Sequence, residues 1–149
     1  MKIDGIDKII INKLIEDART PVLSIAREVG ISGAAIHQRL KKLEKTNLIE
    51  GYHMVVNSNS LGYTTTAFIG VFTESTSPIS ETIKRLKEIP QIIETHYITG
   101  NFNIFIKVLC KSNKSLMRIL NEEVLPIKGV LRTETFISLE QQIKRQIKI

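Results

Sequence analysis

Apolar positions recur at helical spacing up to residue 45 and then switch, beyond residue 64, to the alternation of strands. After Asp7, read as an N-cap, Ile10, Ile11, Leu14 and Ile15 form the apolar face of a helix running to about Ala18, which Arg19-Thr20-Pro21 ends. The stretch Leu23 to Lys45 holds two further helical patterns around a tight turn. Ile25, Ala26 and Val29 share one face, Gly30 sits where the chain must turn, and Ser32 caps the next helix. There Ile36, Leu40 and Leu43 make an inward stripe, leaving Gly33, Ala34, Ala35, His37, Gln38, Lys41 and Lys42 outside. Small residues at the start of that face and polar or basic ones beyond it suit a helix entering a DNA major groove, so the stretch reads as a helix-turn-helix. The first helix supplies the inner packing that two helices alone lack.

Leu48 to Val56 reads as extended, a short strand or wing, and Asn57-Ser58-Asn59-Ser60 as linker. The second half then reads strand (Thr65 to Thr73), helix (Ser80 to Ile89, ended by Pro90), strand (Ile92 to Thr99), turn, strand (Ile104 to Cys110), helix (Ser115 to Val124) and strand (Val130 to Leu139). That βαββαβ order predicts a ferredoxin-like antiparallel sheet with both helices on one face. The fold class is therefore α+β. A winged-helix-like helix-turn-helix domain over residues 1–52 is joined by a linker, 53–63, to a βαββαβ domain over 64–149.

The sheet carries more apolar residues than one covered face needs. In the first strand Phe68 and Phe72 point one way and Ala67, Ile69 and Val71 the other. In the third, Ile104, Ile106 and Val108 alternate with Phe105 and Leu109. Helices cover one face, so a second subunit is expected on the other. The tail from Gln141 to Ile149 is too short and polar to serve instead. A two-fold dimer would also pair the reading helices about one DNA turn, ~34 Å, apart or a multiple of it.

Composition narrows the partners. Lys and Arg number 21 against 15 Asp and Glu, net +6, which favours a polyanion. No apolar run approaches the ~20 residues that span a bilayer, and no signal peptide follows Met1, so a cytoplasmic protein without membrane contact is expected. The lone Cys110 leaves no disulfide and no CxxC. His37, His53 and His96 lack metal-ligand spacing, no Gly-rich phosphate loop appears, and no Ser or Cys has an evident base beside it, which argues against an enzyme and against a bound cofactor. The alternatives are an RNA-binding protein and an amino-acid-binding regulatory subunit, both using the βαββαβ domain. The strand NFNIFIKV lacks the basic-Gly-aromatic pattern of an RNA platform.

The segments IDGIDKIIINKLIEDAR, SIAREVGIS, IHQRLKKLE, LIEGY, THYITGNFNIFIKV and GVLRTET resemble, in order and spacing, the Lrp/AsnC feast/famine transcription regulators over essentially the whole chain. ITGNFNIFIKVLCKS and the closing IKRQIKI look closest to the asparagine-responsive branch. The resemblance implies binding to double-stranded promoter DNA, a homodimer assembling further, commonly to an octamer, and an amino-acid effector, here asparagine. It places the recognition helix on Ser32 to Lys45. Ala34 and Ala35 would meet a thymine methyl, His37 and Gln38 base edges, and Arg39, Lys41 and Lys42 phosphates. It also implies an effector site between dimers, on Tyr97 and the loop Thr99-Gly100-Asn101-Phe102-Asn103, with Thr133 and Glu134 nearby. Many members carry Asp where this chain has Asn103. A neutral amide suits an amide side chain better than an ammonium group. By composition alone the loop is also an ordinary hairpin turn.

Overall fold

A computed structural model of the chain describes residues 2–74 and 78–149. It divides into two compact units, one of residues 1–55 with 143–149 and one of residues 56–142.

In the first unit α1 (Gly5–Glu16), α2 (Val22–Val29) and α3 (Gly33–Lys45) enclose a small core of Ile10, Ile25, Ala26, Ile36 and Leu40. The N-cap of α1 is Asp4 rather than Asp7. Asp4 accepts from the Asp7 amide while Asp7, three residues on, accepts from the Asp4 amide, a reciprocal capping box. Both aspartates are competent caps, and the second is drawn into the first turn. Gly30 takes the left-handed conformation, φ 73°, that ends α2, and Ser32 caps α3 through the Ala35 amide. Lys13 and Glu28 tie α1 to α2 at 2.9 Å. Asn47 adopts a left-handed φ of 56° after α3. The expected wing forms no ladder: the residues from Leu48 to Val56 carry no strand.

Residues 143–149, read from sequence as the end of the second domain, pack with the first unit. The Asn12 amide pairs with both the N–H and the C=O of Ile149, and Lys148 meets Glu16 at 2.6 Å. Asn12 and Glu16, four apart, share the face of α1 turned away from its buried Ile10.

The second unit is a four-stranded antiparallel sheet in the order β2-β3-β1-β4, from β1 (Thr65–Thr73), β2 (Ile92–Tyr97), β3 (Ile104–Cys110) and β4 (Val130–Ser138). Its helices are α4 (Ile79–Leu86) and α5 (Asn113–Arg118), the latter continued by a π-helical stretch, Ile119–Val124. The inward set predicted for β1 and β3, Ala67, Ile69, Val71, Ile104, Ile106 and Val108, is fully buried with Leu86, Leu116, Ile119 and Val124. Cys110 closes this core, its thiol pushed up by burial.

Candidate functional site

The outward face of α3 is built as the sequence suggests. Ile36, Leu40 and Leu43 are buried, while Ala34, His37, Gln38, Lys41 and Lys42 are exposed and Ala35 half-buried. Ser32 is exposed, its oxygen accepting from Ala35. Gly33 matters at the turn, because a Cβ there would stand 3.0 Å from Leu23 of α2. Arg39 departs from expectation. Its guanidinium is not turned out toward a phosphate but lies 2.7 Å from both Asp4, the N-cap of α1, and Asp7 in its first turn. The reason is positional: Arg39 is three residues from Ile36 and four from Leu43, so it flanks the buried stripe. The Asp7 amide and then Arg39 hold the Asp4 carboxyl below its usual value, and the two carboxylates raise Arg39.

The nominated effector residues gather at one end of the sheet without converging on one side of it. Asn103 is a structural pin. Its Oδ1 accepts from the Thr73 hydroxyl at 3.1 Å and the Thr73 amide at 3.4 Å, its N–H donates to Val71, and its C=O accepts from Ile98 to close the hairpin. Thr99, Gly100 and Asn101 are exposed, and Gly100, φ 130°, makes the turn. Phe102 folds back over Gly70 of β1, stacking on Phe105 at 5.5 Å and meeting Phe72 edge-on at 5.7 Å. Glu134 is paired with Gly70 and so shares the Phe102 side. Thr133, paired with Val71, and Tyr97, paired with Ile104, lie on the helix side.

Three contributors escaped the sequence reading. Gly70 leaves the space that Phe102 fills, Thr73 anchors Asn103, and Arg132 lies 3.4 Å over the Phe72 ring. A glycine inside the apolar strand TTAFIGVFT is the signal that could have exposed the first. On the same outer face Phe68 stacks with Phe105 at 5.8 Å, and Glu94 bridges Lys107 at 2.8 Å and His96 at 3.7 Å. A separate groove of about 760 Å³ on the helix side, lined by Glu81, Arg85, Glu88, Glu122, Glu123 and Lys128 among others, includes none of the nominated residues. Among the described residues no group of acidic, His or Cys side chains could hold a metal, and no helix is long and apolar enough to cross a membrane.

A helix-turn-helix head with an exposed reading helix, carried with a βαββαβ ligand-binding unit, defines a DNA-binding transcription regulator. Residues 3–44 match the AsnC-type helix-turn-helix domain and residues 66–147 the Lrp/AsnC ligand binding domain. Regulatory protein AsnC of Haemophilus influenzae is 34% identical over 98% of this chain and 97% of its own length, and that of Escherichia coli K12 is 34% identical over 98% and 96%. The solved structure of E. coli AsnC covers both chains completely with a TM-score of 0.95 at 33% identity. The chain belongs to the Lrp/AsnC family. A Neisseria meningitidis regulator solved as an L-Met complex, TM-score 0.91 over 99% of this chain and 96% of that one, shares the fold at 19% identity.

Proposed function

We propose that this regulator acts in the cytoplasm as a homo-oligomer, reads double-stranded DNA with α3, and is modulated by an amino acid, asparagine, bound at the Thr99 to Asn103 end of the sheet. The observation that carries the DNA-reading part is the split of α3 into a buried stripe and an exposed face of Ala34, His37, Gln38, Lys41 and Lys42. His37 and Gln38 are the base readers, Ala34 and Ala35 the methyl contacts, and Lys41, Lys42 and the Ser32 hydroxyl the phosphate contacts. The second unit pairs with a second copy through the face carrying Phe68, Phe72 and Phe105, and dimers assemble further, to an octamer.

Two features favour asparagine. Relatives 34% identical over 98% of this chain are named AsnC. In addition, the Asn103 oxygen is occupied by Thr73, so Asn103 meets a ligand with its amide N–H₂ and selects one that presents an acceptor oxygen, as a side-chain amide does. Tyr97, Thr99, Gly100, Asn101, Phe102, Thr133 and Glu134 complete the pocket once copies meet. The Neisseria neighbour, solved as an L-Met complex, makes methionine the first competing ligand to test. Ligand acts by binding one assembly geometry better than another, which resets the spacing of the reading helices.

The experiment is affinity for DNA upstream of the protein's own gene and of amino-acid metabolism genes, at fixed salt, with and without a panel of amino acids. Tight binding shifted by asparagine supports the whole reading. Binding indifferent to every amino acid removes the sensor, and no preference over random duplex removes the DNA reader.

A further inference from the structure

We infer that Arg39, although carried by the reading helix, is a positioning residue that sets how α3 sits on α1 and makes no contact to DNA, an inference that rests on α3 being the reading helix. Four hydrogen bonds form a closed set. Asp4 Oδ1 accepts from the Asp7 amide at 2.9 Å and Asp7 Oδ2 from the Asp4 amide at 3.2 Å. The two remaining oxygens, Asp4 Oδ2 and Asp7 Oδ1, each accept from Arg39 Nη1 at 2.7 Å. No carboxylate oxygen is left over.

The pairing is partly withdrawn from solvent. The Asp7 side chain is 9% exposed and that of Arg39 30%. Lys41 and Lys42, by contrast, are exposed and carry no ion pair among the described residues. A guanidinium already neutralised by two carboxylates has little charge to offer a phosphate. Leaving them would strand two acids beside a polyanion, one of them nearly buried. The brace joins residues 35 and 32 positions apart, at the point where the start of α1 meets the middle of α3. It fixes the roll of the helix whose next residues outward, Gln38 and His37, must meet base edges.

The test is the dependence of log K on log salt, measured on the tightest duplex selected from a random pool and on random duplex. The proteins are wild type, Arg39→Met, Arg39→Lys, the double variant Asp4→Asn/Asp7→Asn, and Lys42→Ala as a phosphate-contact control. Lys42→Ala should lower the slope by about 0.9. Arg39→Met should leave the slope unchanged while the specific-to-random ratio falls about tenfold, the size of a lost bidentate base contact. The double Asn variant should lower the ratio in the same way, and Arg39→Lys should recover part of it, lacking the planar fork.

Partial unfolding cannot imitate this, because it scales both affinities by the same factor. A slope that drops by about 0.9 in Arg39→Met, with the Asn variant like wild type, would make Arg39 a phosphate contact and overturn the inference. An unchanged ratio would overturn it equally. If wild type prefers no duplex, the DNA-reading assignment fails on its own. The brace is then judged by a double-mutant cycle between Arg39 and Asp7 in urea, where absence of coupling sinks it.

Discussion

Replacing Gly70 with alanine tests whether the Thr99 to Asn103 loop is seated by a missing side chain. The position a Cβ would take lies 2.5, 2.6 and 2.7 Å from three Phe102 ring atoms. Carbon pairs rest at about 3.5–4.0 Å, so the ring must retreat by roughly 1 Å. It cannot do so and keep both its stack on Phe105 and its edge contact with Phe72. Each aromatic pair contributes about 0.5–1.5 kcal/mol, and overpacking elsewhere costs about 1–3 kcal/mol. The expected loss is therefore about 1–3 kcal/mol, a shift in urea midpoint on the order of 1 M. Phe102 belongs to the loop that also holds Asn103, so response to amino acid should fall while affinity for DNA without ligand stays as in wild type. The control is Phe102→Ala, which removes the obstructing ring. In that background Gly70→Ala should cost almost nothing. An equal cost in both backgrounds, or a neutral Gly70→Ala in wild type, would refute the reasoning.

The small core of the first unit makes it the weaker partner. Ile36→Ala, at a fully buried position, should cost about 2–5 kcal/mol. That is comparable to the whole stability of so small a core, so DNA binding should vanish while circular dichroism retains the sheet of the second unit. Acid should act on the same unit through Asp4. Its carboxyl lies below the ordinary 3.8 in the folded chain, so its contribution is fully present above that value and lost as pH falls through the lower folded one. Asp4→Asn should flatten the acid limb of an unfolding curve followed by amide signals of α1, and an unaltered limb would assign it to other carboxylates. Asn12→Ala removes both hydrogen bonds to Ile149 and should raise proteolytic cleavage between residues 140 and 149 without changing affinity for DNA. Unchanged cleavage would show that Lys148 and Glu16 suffice to hold the tail.

What the sequence made legible follows from how local each cause is. The inward sets of α3, β1 and β3 could be read because period alone decides which side chains share a face, and each was buried as expected. Gly30 and Ser32 were legible because their roles depend on neighbours within four residues. The start of α1 was misplaced to Asp7 because two aspartates three apart can each cap, and the choice between them involves Arg39, 35 residues away from Asp4. The same distance hid the pairing of Arg39 with Asp4 and Asp7. No composition signal announces that the helix after Ser112 passes into a π-helical stretch at Ile119. Nor does one say that a polar tail returns to α1 through the backbone of its last residue.

The outer face of the sheet shows how counting apolar residues can mislead even when the count is right. Phe68, Phe72, Phe105 and Leu109 were expected to need a second subunit because water is a poor neighbour for apolar side chains, and Phe102 adds a fourth ring to that face. In the folded chain the rings already cover one another: Phe68 on Phe105, Phe105 on Phe102, Phe102 against Phe72. Arg132 then lies on Phe72, and Lys107, 5.8 Å from the Phe68 ring, is held by Glu94. Each ring is half-buried before any partner arrives, so the apolar area left for a second copy is smaller than the residue list implies. What remains exposed is mixed. Phe136 of β4, paired with Phe68, is 47% exposed, and Glu134 stands beside Arg132 on the same outer face. A second copy laid on this surface must match cations and carboxylates as well as rings. In the homodimer proposed above, charge matching would supply register where flat rings alone would let two sheets slide, and a fixed register is what reading helices at a set spacing would require.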